Sequence, residues 1–224
     1  MTLPPSLRAG LVLAVFVGVG LAGVAVVHER TAERIEAAER AVVLDRLAAV
    51  LPEGHDNEPA DAAYERPSPF EGAAPMRIFP AYSGSDYLGA AAEIETPEGY
   101  SGPIRLLVGL TPEGEIIGVR TVAHRETPGL GDAIEAGRSD WIRGFSGRAL
   151  GDPPADDWAV ARDGGAFDGI TGATITARAV VDAVRAVVVD HDQHPEAYRG
   201  VDQAEHAEPI ELDTETASEE GAGP

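Results

Sequence analysis

Two short segments carry residue types and spacings that could support chemistry. The first is Asp168-Gly-Ile-Thr-Gly-Ala-Thr174-Ile-Thr176, which leads directly into a valine-rich stretch with helical spacing. Threonine at a helix start commonly accepts hydrogen bonds from free backbone N–H groups, and glycine supplies the backbone freedom to enter the turn. On that reading TGAT is a cap. The same place also suits an anion, because unpaired N–H groups and the helix dipole both favour negative charge. A phosphate esterified to Thr174 would lie in that field, and the small Gly172 and Ala173 would let a bulky group approach.

The second segment is His124-Arg-Glu-Thr-Pro-Gly-Leu-Gly-Asp132. It reads as a strand-to-helix loop, with Pro128, Gly129 and Gly131 in turn roles and Asp132 capping the next helix. That leaves His124, Arg125, Glu126 and Thr127 clustered at the end of a strand. Polar groups there could line a planar ring system and supply positive potential for a reduced, anionic form of it.

Other constellations are weaker. His191-x-x-His194 could place two imidazoles on one helix face as metal ligands, but in so acidic a chain they read better as surface residues. Ser101, Ser139 and Ser146 have no GxSxG context, and no GxxxxGK[ST] loop occurs.

The elements that must position these segments can be read from hydropathy. Val180, Val181, Val184, Val187 and Val188 form a stripe that faces a core. Valine is a modest helix former, so packing must hold this helix. β-like stretches occupy Met76–Phe79, Tyr87–Glu95 and Ile104–Leu110. Thr111-Pro-Glu-Gly114 is a turn, and Glu115–His124 returns to complete a hairpin. Arg138–Phe145 reads as part of a helix, and Trp158–Ala161 as a short strand. Strands and helices without βαβ alternation indicate an α+β domain.

Ala9–Val27 contains no charge and would span roughly 28 Å as a helix, close to the thickness of a bilayer core. An uncleaved anchor fits better than a removed leader. A GxGxxG pattern, Gly18 to Gly23, lies inside this run, with Asp45 near the spacing of a ribose-binding acid. No further βαβ units follow, and glycines are common in membrane helices. Glu29–Leu51 continues with helical spacing, its far end expected to dock on the domain. Pro52–Pro75 reads as loop, and the acidic segment after Gly200 as disordered. The resulting division is an anchor over 1–28, a juxtamembrane helix and loop over 29–75, one domain over 76–200 and a tail over 201–224.

The formal net charge is −21, and every Lys or Arg is arginine. Such a surface repels nucleic acid. With no cysteine, disulfides, thiolate zinc sites, iron–sulfur clusters and CxxCH haem attachment are excluded. Any redox cofactor must be held in another way.

GYSGPIRLLVGL, HRETPGLGD, SDWIRGF and DGITGATIT, in this order, resemble the G subunit of Rnf-type ion-translocating electron-transport complexes. They are more distantly similar to the C subunit of the sodium-translocating quinone reductase. The resemblance implies one FMN-binding domain behind a single N-terminal transmembrane helix, with FMN joined through a phosphoester to Thr174. It implies that Asp168, Thr171, Gly172 and Ala173 belong to the element a flavin transferase recognises, with Ile175 and Thr176 completing the cofactor-binding segment. His124, Glu126, Thr127 and Leu130 are then expected against the flavin ring. The implied setting is the cell inner membrane, with a periplasmic domain, a cytoplasmic N-terminus and the other complex subunits as partners. Electron flow between ferredoxin and NAD would be coupled there to ion movement. The rival expectation is an anchored extracytoplasmic binding or assembly module that never acquires flavin.

Overall fold

The computed structural model describes residues 4–200. The expected acidic tail, 201–224, lies outside the described residues. Helix α1 runs unbroken from Pro5 to Ala48, with proline in its first turn where no N–H partner is needed. The expected anchor and juxtamembrane helices are therefore one helix. Along it Leu11, Phe16, Val19, Leu21 and Val24 are exposed. Among the described residues no helix is long and apolar enough to cross a membrane. The expected span Ala9–Val27 includes positions 9, 12, 26 and 27, whose side chains lie outside the described ones.

Beyond α1 the chain forms strands β1 (Tyr64–Arg66), β2 (Met76–Ser83), β3 (Asp86–Thr96), β4 (Ile104–Leu110) and β5 (Ile116–Ala123). The described residues pair as one five-stranded antiparallel sheet in sequential order. The expected hairpin is β4–β5, closed where Thr111 N–H donates to Glu115 O at 2.9 Å. Dinucleotide-fold βαβ units are absent from the described residues, and the GxGxxG glycines sit inside α1.

Helix α2 (Thr174–Gln193) covers one face of the sheet, and the four-residue α3 (Pro195–Tyr198) follows it. Val180, Val181, Val184, Val187 and Val188 pack against Ile78, Ala92, Ile94, Leu106, Val108 and Val119. Burying each valine contributes roughly 1.5–3 kcal/mol, more than the tenths it forfeits in helix propensity. Packing therefore wins.

The other face receives the end of α1. Leu47, Val50 and Leu51 cluster with Phe79, Ala81, Ala91 and Leu107, and the Arg46 guanidinium donates to Val122 O. Gly109 makes the seat, because a Cβ there would collide with the Val50 carbonyl oxygen. Covered on both sides, β3 buries seven of its eleven residues and β4 six of its seven.

Several local expectations are corrected. Only Trp141–Phe145 of the expected 138–145 helix forms, as a 3-10 turn. Ser139 Oγ donates to Ala133 O and accepts the Trp141 N–H, which diverts the backbone before a helix can start. Trp158–Ala161 is not a strand. Val160 makes one isolated parallel bridge to Phe167 where a short loop brings the chain round alongside it, with Ala161 N–H donating to Phe167 O and Phe167 N–H to Ala159 O. The Pro52–Pro75 loop contains β1, tied down where Tyr64 OH donates to Ala197 O and Arg66 pairs with Asp190 at 3.4 Å. His191 is a core residue, not a surface one. It stacks edge-on to Tyr198 at 4.8 Å, and Nε2 is buried with no hydrogen-bond partner among the described residues.

Candidate functional site

The first residue of α2 is Thr174, and the capping position belongs to Ala173, with no side-chain cap. The threonines of the motif therefore do not cap the helix. The N–H groups of Thr174, Ile175 and Thr176 have no hydrogen-bond partner among the described residues. Thr174 is half-buried, Thr171 and Gly172 are exposed, and Ala173 is buried. Gly172 adopts φ +81°, which a side chain would strain. That turn brings the chain from the exposed Asp168 into the helix.

Thr176 points the other way. Its hydroxyl donates to Glu126 Oε2 within the protein. Glu126 Oε1 accepts the Ser101 N–H at 2.9 Å, so one carboxylate joins three of the sequence segments singled out above. Gly99 and Gly131 make room for it. A Cβ on Gly131 would meet Glu126 Cβ at 2.7 Å, and one on Gly99 would approach Oε1 to 3.0 Å.

His124 Nδ1 accepts the Glu126 N–H at 3.1 Å, which leaves Nε2–H to donate to Glu135 Oε1 at 2.8 Å. These two bonds fix the neutral tautomer. Thr127 O accepts the N–H groups of Leu130 and Gly131, which curls the loop over. Asp132 lies within the 3-10 turn Gly131–Ile134 and does not cap it; its Oδ1 accepts the Gly129 N–H at 2.8 Å. The curl lifts Leu130 into solvent and against Gly172. Trp141 closes the last side, donating Nε1–H to Asp168 O at 2.7 Å.

The site thus gathers Thr174, its free N–H groups, and a rim of exposed apolar residues. Outside α1, the exposed large hydrophobic side chains among the described residues are Tyr100, Leu130, Leu150 and Ile175. Three of the four lie in the segments that meet here. Ser101, Trp141, Glu135 and Gly99 received no site role from the sequence, and Gly131 only that of a turn residue. Their signal was position within or beside the same four segments, but only the fold shows what each touches.

The FMN-binding domain family model matches residues 99–189, and the model of the RnfG N-terminal region matches residues 1–50. The G subunit of the ion-translocating oxidoreductase complex of Pseudomonas aeruginosa (strain UCBPP-PA14) is 44% identical over 203 residues, covering 88% of this chain and 94% of that protein. The corresponding protein of Vibrio cholerae serotype O1 (strain ATCC 39541) is 42% identical over 189 residues, covering 84% and 90%. That of Shewanella oneidensis is 40% identical over 194 residues, covering 85% and 91%. The segments that meet here all lie within the stretch matched as an FMN-binding domain. The chain belongs to the family of G subunits of ion-translocating oxidoreductase complexes.

Proposed function

We propose that this chain is the flavoprotein subunit of an ion-translocating oxidoreductase complex, carrying FMN as a phosphoester on Thr174 Oγ1. The observation that carries the reading is the start of α2. Thr174 is half-buried and not a cap, and it stands at three unpartnered N–H groups. Such groups fit a phosphate. Gly172 and Ala173 leave the approach open, and the exposed Leu130 and Ile175 offer apolar surface to a ring. The residues present therefore fit FMN. His124 and Thr127 are assigned to its ring side, and Asp168, Thr171, Gly172 and Ala173 to the element that a flavin transferase reads.

When bound, the flavin supplies one- and two-electron transfer. The protein's own part is to hold and expose it. A tether keeps the cofactor at high effective concentration without a deep pocket, so a ring edge stays open to partner subunits. Electron transfer through this protein is coupled, in the assembled complex, to ion movement. The apolar run Ala9–Val27 anchors α1 in the inner membrane in a single pass, with the domain on the periplasmic side. The flavin-free alternative rests on TGAT serving only as a cap, a role Thr174 does not have in this fold.

The test is co-expression of the full chain with a flavin transferase. Fluorescence on a denaturing gel, an intact mass increased by one FMN and its mapping to Thr174 are expected. FMN on Thr171 or Thr176, or a fluorescent Thr174→Ala chain, overturns the assignment. Protease access to the domain from the periplasmic side tests the topology, and protection there would reverse it.

A further inference from the structure

We propose that Glu126 is a positioning residue, which fixes the start of α2 through Thr176 and whose charge holds the flavin potential down. The proposal rests on the assignment of FMN to Thr174 and deepens it. Glu126 is only 4% exposed, and both carboxylate oxygens are turned inward, one to Ser101 N–H and one to the Thr176 hydroxyl. Its backbone N–H is held by His124 Nδ1, and its side chain by the glycine walls at 99 and 131. The residue is fixed at both ends. With its oxygens engaged inside the protein, it acts on the cofactor site through another residue. That residue is Thr176, two positions beyond Thr174 on the first turn of the helix.

The charge is the second feature. No cation pairs with Glu126 among the described residues. Burying an unpaired carboxylate is costly, and glutamine would fill the same space. A glutamine Oε1 can accept the Ser101 N–H while its amide donates to Thr176 Oγ1, so the strap itself does not require a charge. A fixed negative charge in a poorly solvated place opposes the gain of negative charge by a nearby ring. The carboxylate therefore adds to the strap a bias against reduction.

Two variants separate the roles. Glu126→Gln keeps the strap and removes the charge. In the full chain bearing FMN, its midpoint potential is expected to shift positive, while amide exchange in peptides covering 99–104 and 170–180 stays as in the wild type. Thr176→Val cuts the strap and keeps the charge. It is expected to speed exchange over 170–180, even before flavin is added, and to slow FMN incorporation several-fold. Thr176→Ser should restore both. An unshifted potential in Glu126→Gln sinks the electrostatic role, and unchanged exchange and incorporation in Thr176→Val sink the positioning role. If the wild-type chain takes up no flavin, the Thr174 assignment and the potential claim both fail, while exchange in the unloaded chain still decides the strap.

Discussion

Leu130 and Gly172 close on each other across the site: a Cβ built on Gly172 would stand 3.0 Å from Leu130 Cδ2. The HRETPGLGD loop and the TGAT turn are thus in direct contact, although 42 positions separate the two residues (172 − 130). Gly172→Ala meets two obstacles, crowding against Leu130 and a φ of +81°. The backbone term alone is about 1–2 kcal/mol. Adding Leu130→Ala removes the crowding but not the strain. Thermal unfolding should therefore show a destabilised single variant, incompletely rescued in the double variant. Full rescue would mean that the backbone there tolerates a side chain.

Thr174→Ala is expected to abolish covalent flavin at almost no cost in stability. A lost threonine cap typically costs about 1 kcal/mol, but Thr174 caps nothing. Chemical denaturation of the unloaded variant should superimpose on that of the unloaded wild type. A loss of about 1 kcal/mol or more, the size of a lost cap, would reveal a contact absent from this fold.

Trp141→Phe removes the Nε1–H donor to Asp168 O while leaving an aromatic ring to meet Phe145, whose centroid lies 5.5 Å from that of Trp141. Faster amide exchange over residues 168–172 is expected, with the rest of the core unaffected. A uniform loss of protection would instead make Trp141 a core residue whose hydrogen bond is incidental.

His191 should make stability depend on pH. Burial pushes its pKa below the ordinary value, against the opposing pull of Asp192 and Asp190, with Arg199 lowering it and Glu113 raising it. The unfolded chain therefore binds the proton more readily. Stability is complete above the unfolded value of about 6.5 and is lost as pH falls through it toward the folded value, below which this contribution levels off. His191→Leu should flatten that part of the profile. An equally steep profile in the variant would assign the pH dependence to carboxylates.

Much of the fold was legible because the signals were redundant. The valine stripe of α2 and the Thr111–Gly114 turn each combine periodicity with composition, and both elements form where expected. The weaker expectations failed where a single side chain redirects the backbone, as Ser139 does before Trp141. β1 was hidden in a Pro- and Gly-rich stretch because, besides its pairing with β2, it is tied to residues more than 120 positions away, Ala197 and Asp190. His191 read as polar surface because its burial depends on Tyr198 and on the Gly114 turn, where a Cβ would lie 3.1 Å from its Nδ1. At the site, motif residues were readable as types. The inward turn of Glu126 was not, since it depends on three segments meeting.

The seat of α1 on the sheet is made by main chain against main chain, Val50 over Gly109, with Leu47 and Leu51 wedged on the same face. A joint of that kind has no slack for swivelling. Turning the domain about residues 48–52 would have to unseat the helix and expose the apolar cluster beneath it. The N-terminal end of α1 and the start of α2, where we place the flavin, must then tilt together, like the two ends of one lever. A carrier built this way would meet successive partners by leaning as a whole, or by having them come to it.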